Sequence, residues 1–89
     1  MGAGAAPTFT ADILPKFRPG DVVCMARHGV SLADVAWMTN PAGTPEFPDH
    51  AHARQVHARI ASGAMPPDGR WPAEWVAAYE AWMDAGFQR

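Results

Sequence analysis

The chain contains one cysteine, Cys24, and this single residue excludes an internal disulfide, a multi-cysteine zinc site and an intact CxxC motif. With 89 residues, the chain is long enough for one domain and too short for two. A domain of this size buries only about 60–65% of its unfolded surface, so its core must be packed efficiently. Four tryptophans are many for this length, and they predict that large side chains fill the core.

The composition and the charge pattern exclude several classes of function. Hydrophobic residues make up 48% of the chain and charged residues 18%, which is typical of a globular protein. The net charge is -2 and the seven lysines and arginines are scattered singly, which argues against nucleic-acid binding. The sequence has no run of about 18 apolar residues that could span a membrane. Residues 1–7 lack the basic and apolar regions of a secretory signal, so we expect a cytoplasmic protein.

Nine prolines and eight glycines divide the chain into short segments. We expect residues 1–8 to be a disordered leader and residues 9–89 to form one domain. The predicted fold class is all-α, with three to five short helices joined by proline-rich loops. The first predicted helix is capped by Thr10 and ends near Arg18, and a helical turn follows over 21–28. A short helix through Val35 and Trp37 is expected to begin at Ser31 and Asp34. The last two predicted helices are one over 50–62, capped by Asp49 and ended by Gly63, and one from Pro72 that ends at Gly86.

Helical spacing also predicts which side chains form the core. The expected inward residues are Phe9, Ile13 and Phe17 in the first helix, Val22, Val23 and Met25 in the helical turn, Ala53, Val56 and Ile60 in the helix over 50–62, and Trp75, Tyr79 and Trp82 in the last helix.

Several short motifs, taken in order, resemble the small class I cytochrome c domains of bacterial proteins. They are Thr8-Phe9, Asp12-Ile13-Leu14-Pro15, Phe17-Arg18, Met65-Pro66-Pro67, Trp71-Pro72-Ala73-Glu74 and Trp82-Met83-Asp84-Ala85-Gly86. The likeness covers about residues 8–88, and its specificity lies in the order and spacing of the motifs. It implies an all-α domain in which three or more helices surround a haem.

The resemblance also implies where a haem would be attached, and the chain departs from the family there. The family's CxxCH motif supplies two cysteines for the haem vinyl groups and a histidine for the iron. In the preferred register Asp21 replaces the first cysteine, Cys24 keeps the second and Met25 takes the histidine position. Met65 falls at the family's second axial ligand. An alternative register uses Cys24 and His28 with Arg27 in place of the second cysteine, and both registers lose the double attachment.

The degraded motif predicts that the haem site is vacant. A haem-free domain must refill the lost volume, because cavities cost about 24 cal/mol per Å3. The four tryptophans, Trp37, Trp71, Trp75 and Trp82, and the five methionines are the side chains we expect to fill it. No cofactor is therefore expected, with haem or copper as the alternative.

A soft metal ion is one alternative for the same residues. Cys24 and Met25 offer a thiolate and a thioether, which select ions such as Cu(I), and Met38, Met65 or His28 could complete the ligand set. The plain interpretation is that Cys24 is a small apolar filler and that Met65 anchors the proline loop.

The remaining polar residues give no sign of zinc binding or catalysis. His50 and His52 point to opposite sides of a helix, and His57 lies two turns from His50, too far to share one ion. We expect His50 near the cap, His52 at an edge and His57 beside the apolar face. No nucleophile is paired with a base motif, and no carboxylate pair is marked by spacing.

The sequence therefore predicts a haem-free, cytochrome c-like accessory or protein-interaction module that is not an enzyme. Its partner is expected to be another protein, bound near Met25, Met65 and the proline loops. The alternative is an electron-transfer or metal carrier, which would hold haem noncovalently or through one thioether, or Cu(I) through Cys24, Met25 and Met65.

Overall fold

The computed structural model describes residues 6–65 and 70–89, and every regular element in those two ranges is helical. A π-helical turn, Phe9–Ile13, continues directly into a 3-10 turn, Leu14–Lys16; together they form the N-terminal helical segment. The α-helices are α1, Pro19–Ala26; α2, Val35–Met38; α3, Ala51–Ser62; and α4, Ala73–Asp84. The predicted all-α class is confirmed, with five helical segments among the described residues.

The N-terminal helical segment begins two residues earlier than predicted, so Thr10 as its cap was wrong. The side-chain oxygen of Thr8 accepts a hydrogen bond from Ala11 N at 3.2 Å, and Thr8 N donates to the Asp12 carboxylate at 2.7 Å. These two hydrogen bonds satisfy the backbone N–H groups of Thr8 and Ala11 at the start of the segment. Of the predicted leader, residues 1–5 lie outside the described residues, while Thr8 belongs to this cap.

Trp82 lies at the centre of the core, with no exposed surface. Its ring is 5.6 Å from that of Phe9, 5.2 Å from that of Tyr79 and 5.4 Å from that of Phe87. The two latter pairs are edge-to-face, the arrangement that the charge distribution of aromatic rings favours. The indole N–H donates to Gln88 O at 2.7 Å, so its burial leaves no polar atom unpaired.

The two ends of the described chain meet beside this ring. Phe9 N donates to Gln88 O at 2.8 Å, and Thr10 N donates to Arg89 O at 3.3 Å. The N-terminal segment therefore packs on α4 and on the residues that follow it, which holds Phe9 against Trp82.

Tyr79 joins α4 to α3 through one buried hydrogen bond. Its hydroxyl donates to Ala53 O at 2.7 Å, and the side chain has no exposed surface. Burial raises the pKa of the Tyr79 hydroxyl well above its ordinary value of 10.0, so the group stays a neutral donor throughout the physiological pH range. The predicted inward faces are confirmed for α3, where Ala53, Val56 and Ile60 are buried, and for Tyr79 and Trp82 of α4, which are buried too.

Trp75 is not a core residue, contrary to the prediction. Its side chain is 37% exposed, although it lies four residues before the buried Tyr79 on the same helix. Trp71, just before α4, occupies the core edge instead and meets Trp75 edge-to-face at 5.5 Å. The first turn of α4 thus projects past the core, and the outer side of Trp75 faces Lys16, whose ammonium is 5.7 Å from the ring centre.

Trp37 is half-buried and packs against the edge of the core, with its ring stacked on that of His52 at a centroid distance of 3.9 Å. Only Trp71 and Trp82 are buried among the four tryptophans. The side chains that complete the core are Phe9, Ile13, Phe17, Met25, Val30, Leu32, Met38, Ala53, Val56, Ile60, Met65, Tyr79 and Phe87.

Truncating Trp82 and Trp75 is expected to separate their roles. Trp82→Ala should lower the free energy of unfolding by about 3–5 kcal/mol, because it empties the centre of the core. Trp75→Ala should cost only about 0.5–1.5 kcal/mol, the value of its edge contact with Trp71. Urea unfolding of both variants measures the difference, and equal losses would contradict the placement of Trp75 at the rim.

Candidate functional site

The start of α1 is fixed by Arg18 and Asp21. Pro19 occupies the first helical turn, where its missing N–H costs nothing. The Asp21 carboxylate accepts hydrogen bonds from Arg18 N at 3.1 Å and from the Arg18 guanidinium at 2.9 and 3.0 Å, and Asp21 is buried. Asp21, which the resemblance would align with the first haem cysteine, is thus a structural cap for the helix.

Cys24, Met25 and Met65 line one cavity of about 270 Å3, together with His28, Arg59 and Ala64. Met25 and Met65 are buried, Cys24 is half-buried, and His28 is exposed. The structure therefore brings together all three site residues predicted from sequence, and it adds the histidine of the alternative register. Met38 is buried in the core and lines neither this cavity nor the depression described below, so it does not join the set.

Met65 reaches this cavity because of the turn that ends α3. Gly63 has a φ of 83°, in the left-handed region that favours glycine, and its N–H donates to Ile60 O. The chain then reverses, and Met65 N donates to Arg59 O at 3.1 Å. These two bonds fix the thioether beside α1. The rest of the predicted proline loop, residues 66–69, lies outside the described residues.

A second, more open depression of about 410 Å3 lies on the other side of Cys24. Its lining residues are Pro19, Gly20, Val23, Cys24 and Arg27. We call the residues that line the two depressions, which share Cys24, the Cys24 surface. Sequence reasoning did not single out Gly20 and Arg59 as parts of a site, and it named Arg27 only as the replacement for a cysteine in the alternative register. Gly20 and Arg27 share a helix face with Cys24 through the i, i+4, i+7 spacing.

Val23 was predicted to face inward and is instead 58% exposed. The buried side of α1 is carried by Asp21 and Met25, which lie four residues apart on one face. Val23 lies between them in sequence and therefore projects from the opposite side, into the second depression. Of the three apolar residues predicted to face inward, Met25 is buried and Val22 is half-buried.

The cavity at Cys24, taken without the adjoining surface, is smaller than the usual site of a cofactor. Sites for small molecules and cofactors usually measure roughly 300–1,000 Å3, and a tetrapyrrole needs a site well above the lower end of that range. About 270 Å3 is available, and Phe9, Phe17, Trp71 and Trp82 fill the space between the helices. The residues present suit a smaller occupant.

The histidines of the second half of the chain each have a separate partner. His50 stacks on Phe87 at 3.8 Å, and His57 Nε2 lies 2.9 Å from a carboxylate oxygen of Glu80. His52 donates from Nδ1 to Trp37 O at 2.8 Å while its ring covers the indole, so it packs on α2 rather than lying at a free edge. No group of three or more His, Cys, Asp or Glu side chains within residues 6–65 and 70–89 could hold a metal ion.

Asp49 does not cap α3, contrary to the prediction. His50 occupies the N-cap position with a φ of 48°, and its side chain makes no capping bond. The Asp49 carboxylate instead accepts hydrogen bonds from His50 Nδ1 at 2.9 Å and from Arg54 Nη2 at 3.0 Å. These two bonds hold the pKa of the Asp49 carboxyl below its ordinary value of 3.8, the His50 bond being the larger cause.

Comparison of the chain with protein-family models, with curated proteins and with solved structures found no match. In the part of the chain that the structure describes, no helix combines the length and the apolar character needed to cross a bilayer.

The depressed pKa of Asp49 predicts a pH-dependent contribution to stability. Because the folded-state pKa lies below 3.8, the stabilisation is complete above 3.8 and is lost as the pH falls through the lower, folded-state value. Asp49→Asn should therefore lower the Tm at neutral pH, and its Tm should converge with that of the wild type in acid. Asp84→Asn is the control, because Asp84 is exposed and has no hydrogen-bonded partner among the described residues. A constant Tm difference for Asp49→Asn across the pH series would contradict the prediction.

Proposed function

We propose that this chain is a haem-free, cytochrome c-like interaction module without catalytic activity, and that it binds a protein partner through the Cys24 surface. The observation that carries the proposal is the apolar lining of the two depressions that share Cys24: the buried Met25 and Met65 form the base of the first, and the exposed Val23 lines the second. Methionine side chains are flexible, so the base of the first depression can adapt to an irregular partner. An exposed apolar patch of this kind commonly marks a site of protein interaction.

The chemistry of the Cys24 surface supports binding rather than catalysis. Cys24 and His28 lie four residues apart, yet within the described residues no hydrogen bond joins the thiol to the imidazole. A nucleophilic cysteine needs a base within hydrogen-bond reach. Tyr79 and Asp21, the buried groups with polar side chains, are engaged in the helix contacts described above. These groups therefore serve the fold.

A photo-crosslinking experiment tests the proposal. A photoreactive amino acid at position 23, in the Cys24 surface, should yield one dominant adduct with another protein when the chain is expressed in its native host. The control position is 36, where Ala36 is exposed on α2 and lies outside the surface. No adduct from position 23, equal adducts from both positions, or stoichiometric haem in the absorption spectrum of the purified protein would overturn the proposal.

A Cu(I) site is the second candidate, and one observation favours it. The thiol of Cys24, the thioethers of Met25 and Met65 and the imidazole of His28 all line the same cavity. Sulfur ligands of these two kinds select Cu(I) over harder ions. The buried position of both methionines would also keep such an ion away from water.

A competition titration with a chromogenic Cu(I) chelator tests this second candidate. A site at these residues should take up one Cu(I) per chain, and Cys24→Ser or Met65→Leu should abolish uptake. Met83→Leu is the matched control, because Met83 is half-buried on α4 and lines neither depression. Uptake that survives both site substitutions would exclude this assignment.

A further inference from the structure

We infer that the Cys24 surface binds an apolar helix of a partner protein that carries acidic side chains beside its apolar face. This inference rests on the proposed function and adds the chemistry of the partner.

The exposed face of α1 is a row of residues at helical spacing. Gly20, Val23, Cys24 and Arg27 follow the i, i+3, i+4, i+7 pattern of one helix face and line the second depression together. Among the described residues, the closely packed helix pairs join α2 to α3, α3 to α4, and α4 to the N-terminal segment, and α1 belongs to none of them. Its outer face therefore has room for one more helix.

Gly20 allows a partner to come close to the backbone of α1. A Cβ placed on Gly20 would meet no atom within 4 Å, so packing inside the chain does not require glycine here. Gly20 is the second residue of α1, and one use of glycine is the close approach of another molecule to the backbone. The two depressions on either side of Cys24 could then receive apolar side chains from successive turns of a docked helix.

Among the described residues that line the Cys24 surface, the side chains that carry a full charge are Arg27 and Arg59, both basic, although the chain as a whole has a net charge of -2. Arg27 and Arg59 line the two depressions, and neither guanidinium meets a carboxylate in residues 6–65 or 70–89. No carboxylate from those residues lines either depression. Acidic groups on a partner would be complementary to this rim, and complementary charge sets both specificity and association rate.

The same charges argue against a second copy of this chain as the occupant. A two-fold symmetric dimer places the same patch of each copy against the other. Across the Cys24 surface it would bring the arginines of both copies together without a carboxylate to neutralise them, which is unfavourable. The occupant is therefore a different protein.

Two synthetic peptides of about 15 residues, a length at which isolated helices begin to form, provide the probes. Both carry leucines at helical spacing; one has glutamates and the other lysines beside that apolar face. Amide chemical shifts of the full chain, followed during titration, locate and quantify binding. The glutamate peptide should change the amide chemical shifts of α1 and of the residues near Arg59 and Met65. It should bind at least about tenfold more tightly than the lysine peptide.

Three variants sharpen the test. Arg27→Glu should weaken the binding of the glutamate peptide by about three- to tenfold and strengthen the binding of the lysine peptide. Arg89→Glu makes the same change of charge outside the surface and should leave both affinities nearly unchanged. Gly20→Leu should weaken both peptides without lowering the Tm, because the added side chain enters open space.

The outcomes separate this inference from the proposed function. Equal binding of both peptides at the Cys24 surface, or tighter binding of the lysine peptide, would overturn the acidic partner and leave the interaction module intact. Binding of neither peptide at this surface would count against both proposals. Self-association through α1, seen as concentration-dependent shifts without peptide, would replace the hetero-partner with a second copy.

Discussion

The packing of Trp82 against Phe9, Tyr79 and Phe87 is the contact on which the rest of the structure depends. The indole touches rings from the N-terminal segment, from α4 itself and from the residues after α4, and its N–H is satisfied by Gln88 O. A domain of 89 residues without a disulfide has few other ways to bring these parts together. The aromatic rings supply much buried area from few residues, and Tyr79 extends the same cluster to α3 through Ala53.

The site is a consequence of how this core is distributed. The aromatic cluster lies on the N-terminal segment, on α4 and on the residues after α4, and it contacts α3 through Tyr79. The residues of α1 that join the core are Met25, which is buried in it, and Val22, which packs against it. One face of α1 is left exposed, and the turn at Gly63 brings Met65 against its edge. The methionines therefore have two roles: they close the core from the side of α1, and they form the base of the cavity there.

Much of the secondary structure could be predicted because it is set by local residues. Gly63 and Gly86 have positive φ angles at the ends of α3 and α4, and Pro72 precedes the first turn of α4. The caps were harder to predict, because Thr8 and Thr10 are equally good candidates by type. Thr10 N is instead taken by Arg89 O, a partner from the far end of the sequence. Asp49 likewise does not cap α3, because its carboxylate accepts hydrogen bonds from His50 and Arg54 instead.

The site was predictable only in part, for the same reason. Cys24, Met25 and Met65 were identified from the resemblance and their motif positions, and helical spacing links Cys24 to Gly20 and Arg27. That Arg59 of α3 lies beside them depends on how α3 packs in the fold, which no spacing rule gives. Trp75 was mispredicted for a different reason. It lies on the same helix face as Tyr79, but helical spacing does not show which turns of a helix extend beyond the core.

The pairing of residues 9 and 10 with residues 88 and 89 has a consequence for how the domain folds. Phe9 N and Thr10 N donate to Gln88 O and Arg89 O, so the N-terminal segment is completed by residues about 80 positions away in the sequence. The short helices can form early from local contacts, but Phe9 and Ile13 have no closed core to enter until these two segments meet. Closing the core is therefore the non-local step of folding, and its rate depends on bringing two distant segments together.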